Sequence, residues 1–348
     1  MSDAPDIASL RHFSTIKNPD KNSEPMAILS KTVTVEKYLA GVRVDSFLVK
    51  HFRSYTSWRI LRMVAAGLVT IDGQVAATTQ RVHPGQQVTI QLAEPPDLYI
   101  PPEPTPLEIL FEDDSLLVIN KPAGLIAHPT GEIPDGTLIN AVQYYLDKQS
   151  THPGLERPGI VHRLDRDTSG AMAICKEHLS HRLLSIQFQL GRISKSYLAL
   201  VEGVLTEDKL VIDLPIGRAP GCSSALMSCR ADALEAQASK TSLRVVERFP
   251  QHTLVEAKPR TGRMHQIRIH LATIGFPIVG DEFYLKEGEI RPLVWPESER
   301  EQVSPLINRQ ALHAACLSFA HPLTNEWQDF QAPLPDDLRQ AIERARHG

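Results

Sequence analysis

Hydrophobic and polar positions along this 348-residue chain fall into two patterned blocks separated by a run of prolines. In the first block Thr32-Val33-Thr34-Val35 alternates as a strand does, and Val44, Phe47, Leu48 and Phe52 recur at helical spacing. A second helix is expected from the hydroxyl-rich Ser54–Ser57 through Trp58, Ile60, Leu61 and Val64 to a stop at Gly67. Alternating residues from Val69 to Val75 flank Asp72-Gly73, a strong hairpin signal. Val82–Leu92, with Pro84-Gly85 as its turn, closes the block. Residues 1–28 lack periodicity and read as a flexible tail. The prolines of residues 95–106 read as a semi-rigid linker.

The second block, residues 107–348, reads as one α+β domain rich in strands. Leu116-Leu117-Val118-Ile119 is apolar without alternation, as a buried strand is, and ends in the turn-forming Asn120-Lys121-Pro122-Ala123-Gly124. A helix is expected to reach about Tyr145, and Leu179, Leu183, Ile186 and Leu190 space another over 178–190. Residues 192–201, 241–249 and 253–257 read as strands, 218–235 as a long loop, 286–305 as a surface insertion, and the stretch after Pro335 as an amphipathic helix.

Composition narrows the class. Hydrophobic residues at 42% and charged residues at 22% suit a globular protein with a full core. No apolar run approaches the ~18 residues that span a bilayer, and no secretory leader is visible. Cys175, Cys222, Cys229 and Cys316 have no zinc-like spacing, so no metal is expected; Cys175 and Cys316 sit in apolar runs and read as buried thiols of a reducing, cytoplasmic protein. A net charge of -4 argues against a protein that coats nucleic acid nonspecifically, although a clustered basic surface could still bind RNA.

The chemistry is concentrated in two places. His162-Arg163-Leu164-Asp165-Arg166-Asp167-Thr168-Ser169-Gly170 sets two carboxylates and two guanidiniums between apolar runs, at a strand end or tight connection. Opposite charge nearby favours the ionised form of a carboxylate, and such an acid can attack an electron-poor carbon. A salt-bridged turn is the plainer reading of the same residues. The second place is Lys258-Pro259-Arg260-Thr261-Gly262-Arg263-Met264-His265-Gln266-Ile267-Arg268-Ile269-His270, which by itself could be a solvated basic strand or loop.

Taken together these runs resemble the HRLDxxTSG and TGRxHQIRxH motifs of the RluA-type RNA pseudouridine synthases. Lys195-Ser196-Tyr197 is similar to the K-x-Y strand of that family and residues 120–124 to its first motif. The resemblance implies a mixed, mainly antiparallel catalytic sheet over 107–348, Asp165 as the catalytic residue, Arg268 as its partner and Tyr197 packed on the target base. It also implies substrate contacts from Arg163, Thr261, Gly262, Arg263 and His265, with Lys121 bordering the RNA cleft. Residues 29–94 resemble the S4 RNA-binding module, in which Arg53, Arg59 and Arg62 would meet phosphates. Two departures stand out: Ala236-Gln237-Ala238-Ser239 replaces a Gly-Lys-x-Ala segment, and Leu285 replaces a glycine. Pro134-Asp135-Gly136-Thr137-Leu138-Ile139-Asn140-Ala141 is similar to the branch acting on large-subunit ribosomal RNA.

The implied reaction turns a uridine of RNA into pseudouridine, with no cofactor, no membrane and a monomeric enzyme. Breaking N1–C1′ and joining C5 to C1′ imports no group and needs the base extruded from any helix. Asp165 could form a covalent adduct or abstract the C2′ proton, and both routes are open. Two other readings compete: an RNA-binding ribosome-assembly factor without catalysis, and a hydrolase using Asp165 with Asp167 as a carboxylate pair.

Overall fold

The computed structural model describes residues 29–92, 100–129, 133–150, 157–221, 226–291 and 304–348. The expected tail at 1–28, residues 95–99 of the proline linker and residues 292–303 of the insertion lie outside the described residues, as does Cys222. Contacts divide the chain into two compact units, Met1–Val44 with Leu61–Pro95 and Asp45–Ile60 with Pro96–Gly348.

The smaller unit holds the antiparallel strands β1 (Leu29–Thr34), β2 (Val69–Ile71), β3 (Gln74–Val75) and β4 (Gln87–Leu92), in the order β1-β4-β2-β3. The β2–β3 turn takes φ of 50° at Asp72 and 81° at Gly73, which is why an Asp-Gly pair stands there. Asp72 also accepts the Gln87 main-chain N–H at 2.8 Å, tying the hairpin to β4. Two short helices, α1 (Val44–His51) and α2 (Ser57–Ala65), fall where the spacing predicts them, although α1 from Asp45 onward and α2 up to Ile60 group with the larger unit. The Thr56 hydroxyl caps α2 by accepting the Arg59 N–H at 3.3 Å.

The larger unit is built on one mainly antiparallel sheet. Its strands are β5 (Glu108–Glu112), β6 (Leu116–Lys121), β7 (Gly159–Ile160), β8 (Ser169–Cys175), β9 (Ser194–Glu202) and β10 (Lys209–Asp213). After a small side sheet of β11 (Ile216–Arg218), β12 (Met227–Ser228) and β13 (Leu234–Gln237) come β14 (Lys240–Arg248), β15 (His252–Pro259), β16 (Leu312–Ala320) and β17 (Trp327–Gln331). The main order is β10-β14-β15-β9-β16-β8-β6-β5, with β17 on β16 and β7 on β8. The β8–β16 pair is parallel; the other pairs described in this sheet are antiparallel.

The unalternating apolar runs are explained by helices on both faces of the central strands. Leu117 and Ile119 of β6 and Met172 and Ile174 of β8 pack with Leu138, Val142 and Leu146 of α3 (Leu138–Gln149). Leu116 and Val118, with Ala171, Ala173 and Cys175, face the other way toward Leu184 of α4 (His178–Gln189). Truncating any of these leucines to alanine should cost about 2–5 kcal/mol. Farther along the sheet, β9 and β15 pack with Ile267 and Leu271 of α5 (Gln266–Thr273) and with Leu338, Ala341, Ile342 and Ala345 of α6 (Asp336–His347).

Three readings need correction. The stretch 218–235 is not one loop, because β12 and β13 pair with β11 there. The basic run 258–270 is neither strand nor loop throughout: its second half is α5, in which every residue from Gln266 to Ala272 is buried. Cys175 is buried, but Cys316 is partly exposed.

Candidate active site

Asp165 lies in the short connection between β7 and β8, closed by a hydrogen bond from the Thr168 N–H to the Asp165 carbonyl at 3.1 Å. Two cations hold this connection by successive carbonyls. Lys121, at the end of β6, donates to the Arg166 carbonyl at 2.9 Å and to those of Pro122 and Leu125 at 2.8 Å each. Arg309 donates to the Asp167 carbonyl at 3.0 Å and is itself gripped by both oxygens of Asp337, at 2.7 and 3.0 Å. Gly170 then lets β8 meet β16: its φ is 122°, and a Cβ there would lie 2.3 Å from the Ala314 carbonyl oxygen. His162 supports the same connection by accepting the Ala173 N–H at 3.0 Å; burial pulls its pKa down to about 3, which suits an acceptor.

Lys121, expected to border the RNA cleft, is turned inward instead. It is 0% exposed and its three donors are committed to main-chain carbonyls. Burial pulls its pKa down to about 7, but three carbonyl acceptors require all three ammonium protons.

Arg268 reaches Asp165 from α5. Its Nη1 donates to Asp165 Oδ2 at 3.2 Å, while Nε and Nη2 make a two-pronged contact with Asp281 at 2.7 and 2.8 Å. Arg268 and Asp281 are each 3% exposed. Burial works against both charges, yet the pair prevails: Asp281 and Asp165 hold Arg268 above its usual range, and Arg268 holds the Asp281 carboxyl below its own. Asp281 Oδ1 also accepts the Phe283 and Tyr284 N–H groups at 2.9 and 3.2 Å. No role is expected of Asp281 from the sequence analysis.

Asp165 opens onto a cavity of about 240 Å³, which Tyr197, Thr261, Gly262, Arg263, His265 and Arg268 also line, together with Arg163 and Lys195. All eight residues expected to act at the catalytic centre thus border one cavity. Tyr197 is only partly exposed, and burial, then the negative charge of Asp165, raises its hydroxyl pKa. A second residue the sequence did not single out, Gln266, shapes the wall. Its Oε1 accepts from the Thr261 hydroxyl at 2.7 Å and the Arg263 N–H at 3.0 Å; its Nε2 donates to the Lys240 carbonyl and the Thr241 hydroxyl, both at 3.0 Å. His270 is buried in hydrogen bonds to Thr241, Ser239 and Leu214 and faces no metal partner. Among the described residues no group of three His, Cys, Asp or Glu side chains could hold a metal ion.

The arginines of the first block do not line this cavity. Arg62 is exposed, Arg59 partly so, and Arg53 is half-buried with its pKa lowered by burial and by Arg157. Chemically, the site offers a carboxylate with one oxygen fixed by a guanidinium and the other, Oδ1, without a hydrogen bond from any described residue. Beside it lies an aromatic ring that can support an unstacked base.

The model of the RNA pseudouridylate synthase family matches residues 115–273, which span both motif clusters. Over 314 residues the chain is 35% identical to the uncharacterized RNA pseudouridine synthase YlyB of Bacillus subtilis, covering 90% of this chain and 97% of that one. The chain belongs to the RNA pseudouridine synthases. Within this family it is 36% identical, over 89% of its length and 94% of the relative's, to the ribosomal large subunit pseudouridine synthase D of Pseudomonas aeruginosa. Two solved human structures share the catalytic fold: RNA pseudouridylate synthase domain containing 4 (TM-score 0.54, 26% identity, 69% of this chain and 93% of that) and domain containing 1 (TM-score 0.52, 28% identity, 68% and 86%). This pseudouridine synthase is an isomerase acting on RNA, with its α+β catalytic domain preceded by a small αβ domain. None of its described helices is long and apolar enough to cross a membrane.

Proposed function

We propose that the enzyme isomerises uridine in large-subunit ribosomal RNA, with Asp165 as the nucleophile or base, Arg268 orienting it and Tyr197 supporting the extruded base. The observation that carries this reading is the contact of Arg268 with Asp165 at 3.2 Å, on the wall of the cavity that Tyr197 shares. Arg268 is locked by Asp281, so it can hold one carboxylate oxygen still while the other meets the sugar. The reaction breaks N1–C1′, turns the uracil and bonds C5 to C1′; the proton displaced from C5 leaves as N1 gains one, so nothing is imported. Arg163, Thr261, Gly262, Arg263 and His265 border the same cavity and would contact the nucleotide and its neighbours.

Ribosomal RNA is favoured because several relatives of 34–36% identity carry the name ribosomal large subunit pseudouridine synthase D. In this reading residues 29–94 act as an S4-like docking module, with Arg53, Arg59 and Arg62 toward phosphates. The test is pseudouridine mapping of total RNA from cells with and without the protein, complemented by the native chain or by Asp165→Asn. The expected result is loss of one or a few large-subunit sites, restored only by the native chain. Loss confined to transfer RNA would overturn the substrate assignment, and restoration by Asp165→Asn would overturn the catalytic one.

A further inference from the structure

His265 occupies an uncommon position. It precedes α5 with φ 54° and ψ 19°, a left-handed conformation that costs a non-glycine residue about 1–3 kcal/mol and persists only where its surroundings enforce it. Its ring lies between two groups of different kind. Nδ1 is 2.7 Å from the Tyr284 hydroxyl, and Nε2 is 3.9 Å from Asp165 Oδ2.

The Tyr284 hydroxyl decides which nitrogen carries the proton. Tyr284 is 1% exposed, and its oxygen already accepts the Met227 main-chain N–H of β12 at 3.0 Å. Its single proton must find an acceptor, since a buried hydroxyl proton left without one costs about 1–3 kcal/mol. Among the described residues His265 Nδ1 is the acceptor within reach. If Nδ1 carried a proton instead, Tyr284 would accept twice and its own proton would point at nothing. Nδ1 is therefore bare, and the proton of the neutral ring sits on Nε2. The ring stays neutral at physiological pH, because burial, then the charge of Arg268, pulls its pKa down to about 4.

A distance of 3.9 Å is too long for a direct hydrogen bond from Nε2–H to Asp165. It leaves the donor for an atom that arrives with the substrate. We infer that Tyr284, fixed by the Met227 main chain, is a positioning residue that holds His265 as its neutral Nε2–H tautomer, so that the ring donates a hydrogen bond to a nucleotide oxygen seated beside Asp165. This rests on the reading that the target nucleotide binds against Asp165. It adds a neutral donor beside the guanidinium that holds Asp165, and it gives the β11–β13 side sheet a part in the chemistry through one peptide N–H.

The test is nitrogen-15 spectroscopy of the histidine rings in the full chain, with the His265 signals assigned by difference against His265→Ala. The native protein should show Nε2 protonated and Nδ1 bare at neutral pH. Tyr284→Phe keeps the ring and removes the hydroxyl, so a population with Nδ1 protonated should appear. Its single-turnover rate at saturating RNA should fall roughly 10-fold, the worth of about one hydrogen bond, with RNA affinity little changed. In a His265→Ala background the same Tyr284→Phe change should slow nothing further. A protonated Nδ1 in the native enzyme would overturn the inference, as would an equal slowing by Tyr284→Phe with and without His265. The tautomer is read without turnover, so an active Asp165→Asn enzyme would sink the catalytic reading and leave the tautomer standing.

Discussion

Arg268 stands between two carboxylates that it treats unequally. Asp281 receives two of its N–H groups and two main-chain N–H groups, and its side chain is 1% exposed. Asp165 receives one N–H at 3.2 Å, and its side chain is 22% exposed. The contrast extends to the backbone. The loop of Asp281 caps its own carboxylate, whereas the connection bearing Asp165 is held from outside, by Lys121 and Arg309 on its carbonyls. A fully satisfied acid can anchor but cannot react, because every lone pair in use must be released first. An acid held at one oxygen, on a backbone clamped by others, keeps its position and its reactivity together.

The largest expected effect is on the exposed member. Asp165→Asn should lower single-turnover pseudouridine formation by roughly 10³-fold or more, with unfolding little changed. Asp167→Asn is the control and should stay active. If Asp165→Asn keeps substantial turnover while folded, the two acids have been assigned the wrong way round.

Asp281→Asn should act on stability instead. Removing one member of a buried pair leaves Arg268 poorly compensated, at a cost of about 3–5 kcal/mol in denaturant unfolding. The pH dependence has a definite sign. The folded pKa of Asp281 is depressed, so its stabilisation is complete above the unfolded value near 4 and is lost as pH falls through the folded value. The acid limb of stability against pH should therefore be shallower in Asp281→Asn than in the native enzyme. Identical limbs would mean that the pair contributes nothing on balance.

Lys121→Met tests whether the clamp matters. It strands three carbonyls, which should cost about 1–3 kcal/mol for each that no other donor reaches, and slow the single-turnover rate without a matching loss of RNA affinity. An equal loss of affinity and rate would return Lys121 to the role of an RNA contact. Asp337→Asn should give the smallest effect. The Asp337 side chain is 47% exposed, so its pair with Arg309 is worth below about 1 kcal/mol, and a few-fold slowing is expected from a looser grip on the Asp167 carbonyl.

Much of the fold was legible because local chemistry agrees with it. The Asp72-Gly73 hairpin, the hydroxyl cap of α2 and the unalternating β6 and β8 each follow from residues adjacent in the chain. The helix α5 was not legible, since its buried face carries Gln266, Arg268 and His270, whose burial is met by partners far away in sequence: Thr241, Asp281 and Leu214. Polar residues at buried helical positions erase the apolar period that reveals a helix. The strands β11–β13 were hidden for another reason: at two to four residues each, they are too short to show an alternating period.

By itself the sequence determined which residues stand together: Asp165, Tyr197, Arg268 and the Thr261–His265 loop are named by motif and do border one cavity. Only the tertiary structure decided how each charge is used. Lys121 and Arg268 are both basic residues within a motif, yet one is sealed against carbonyls and the other bridges two acids 116 residues apart in the chain, Asp165 and Asp281. The reason is physical. A side chain's type sets which bonds it can make, but its role follows from which partners remain once water has been removed, and those partners are brought together by the sheet rather than by the order of the chain.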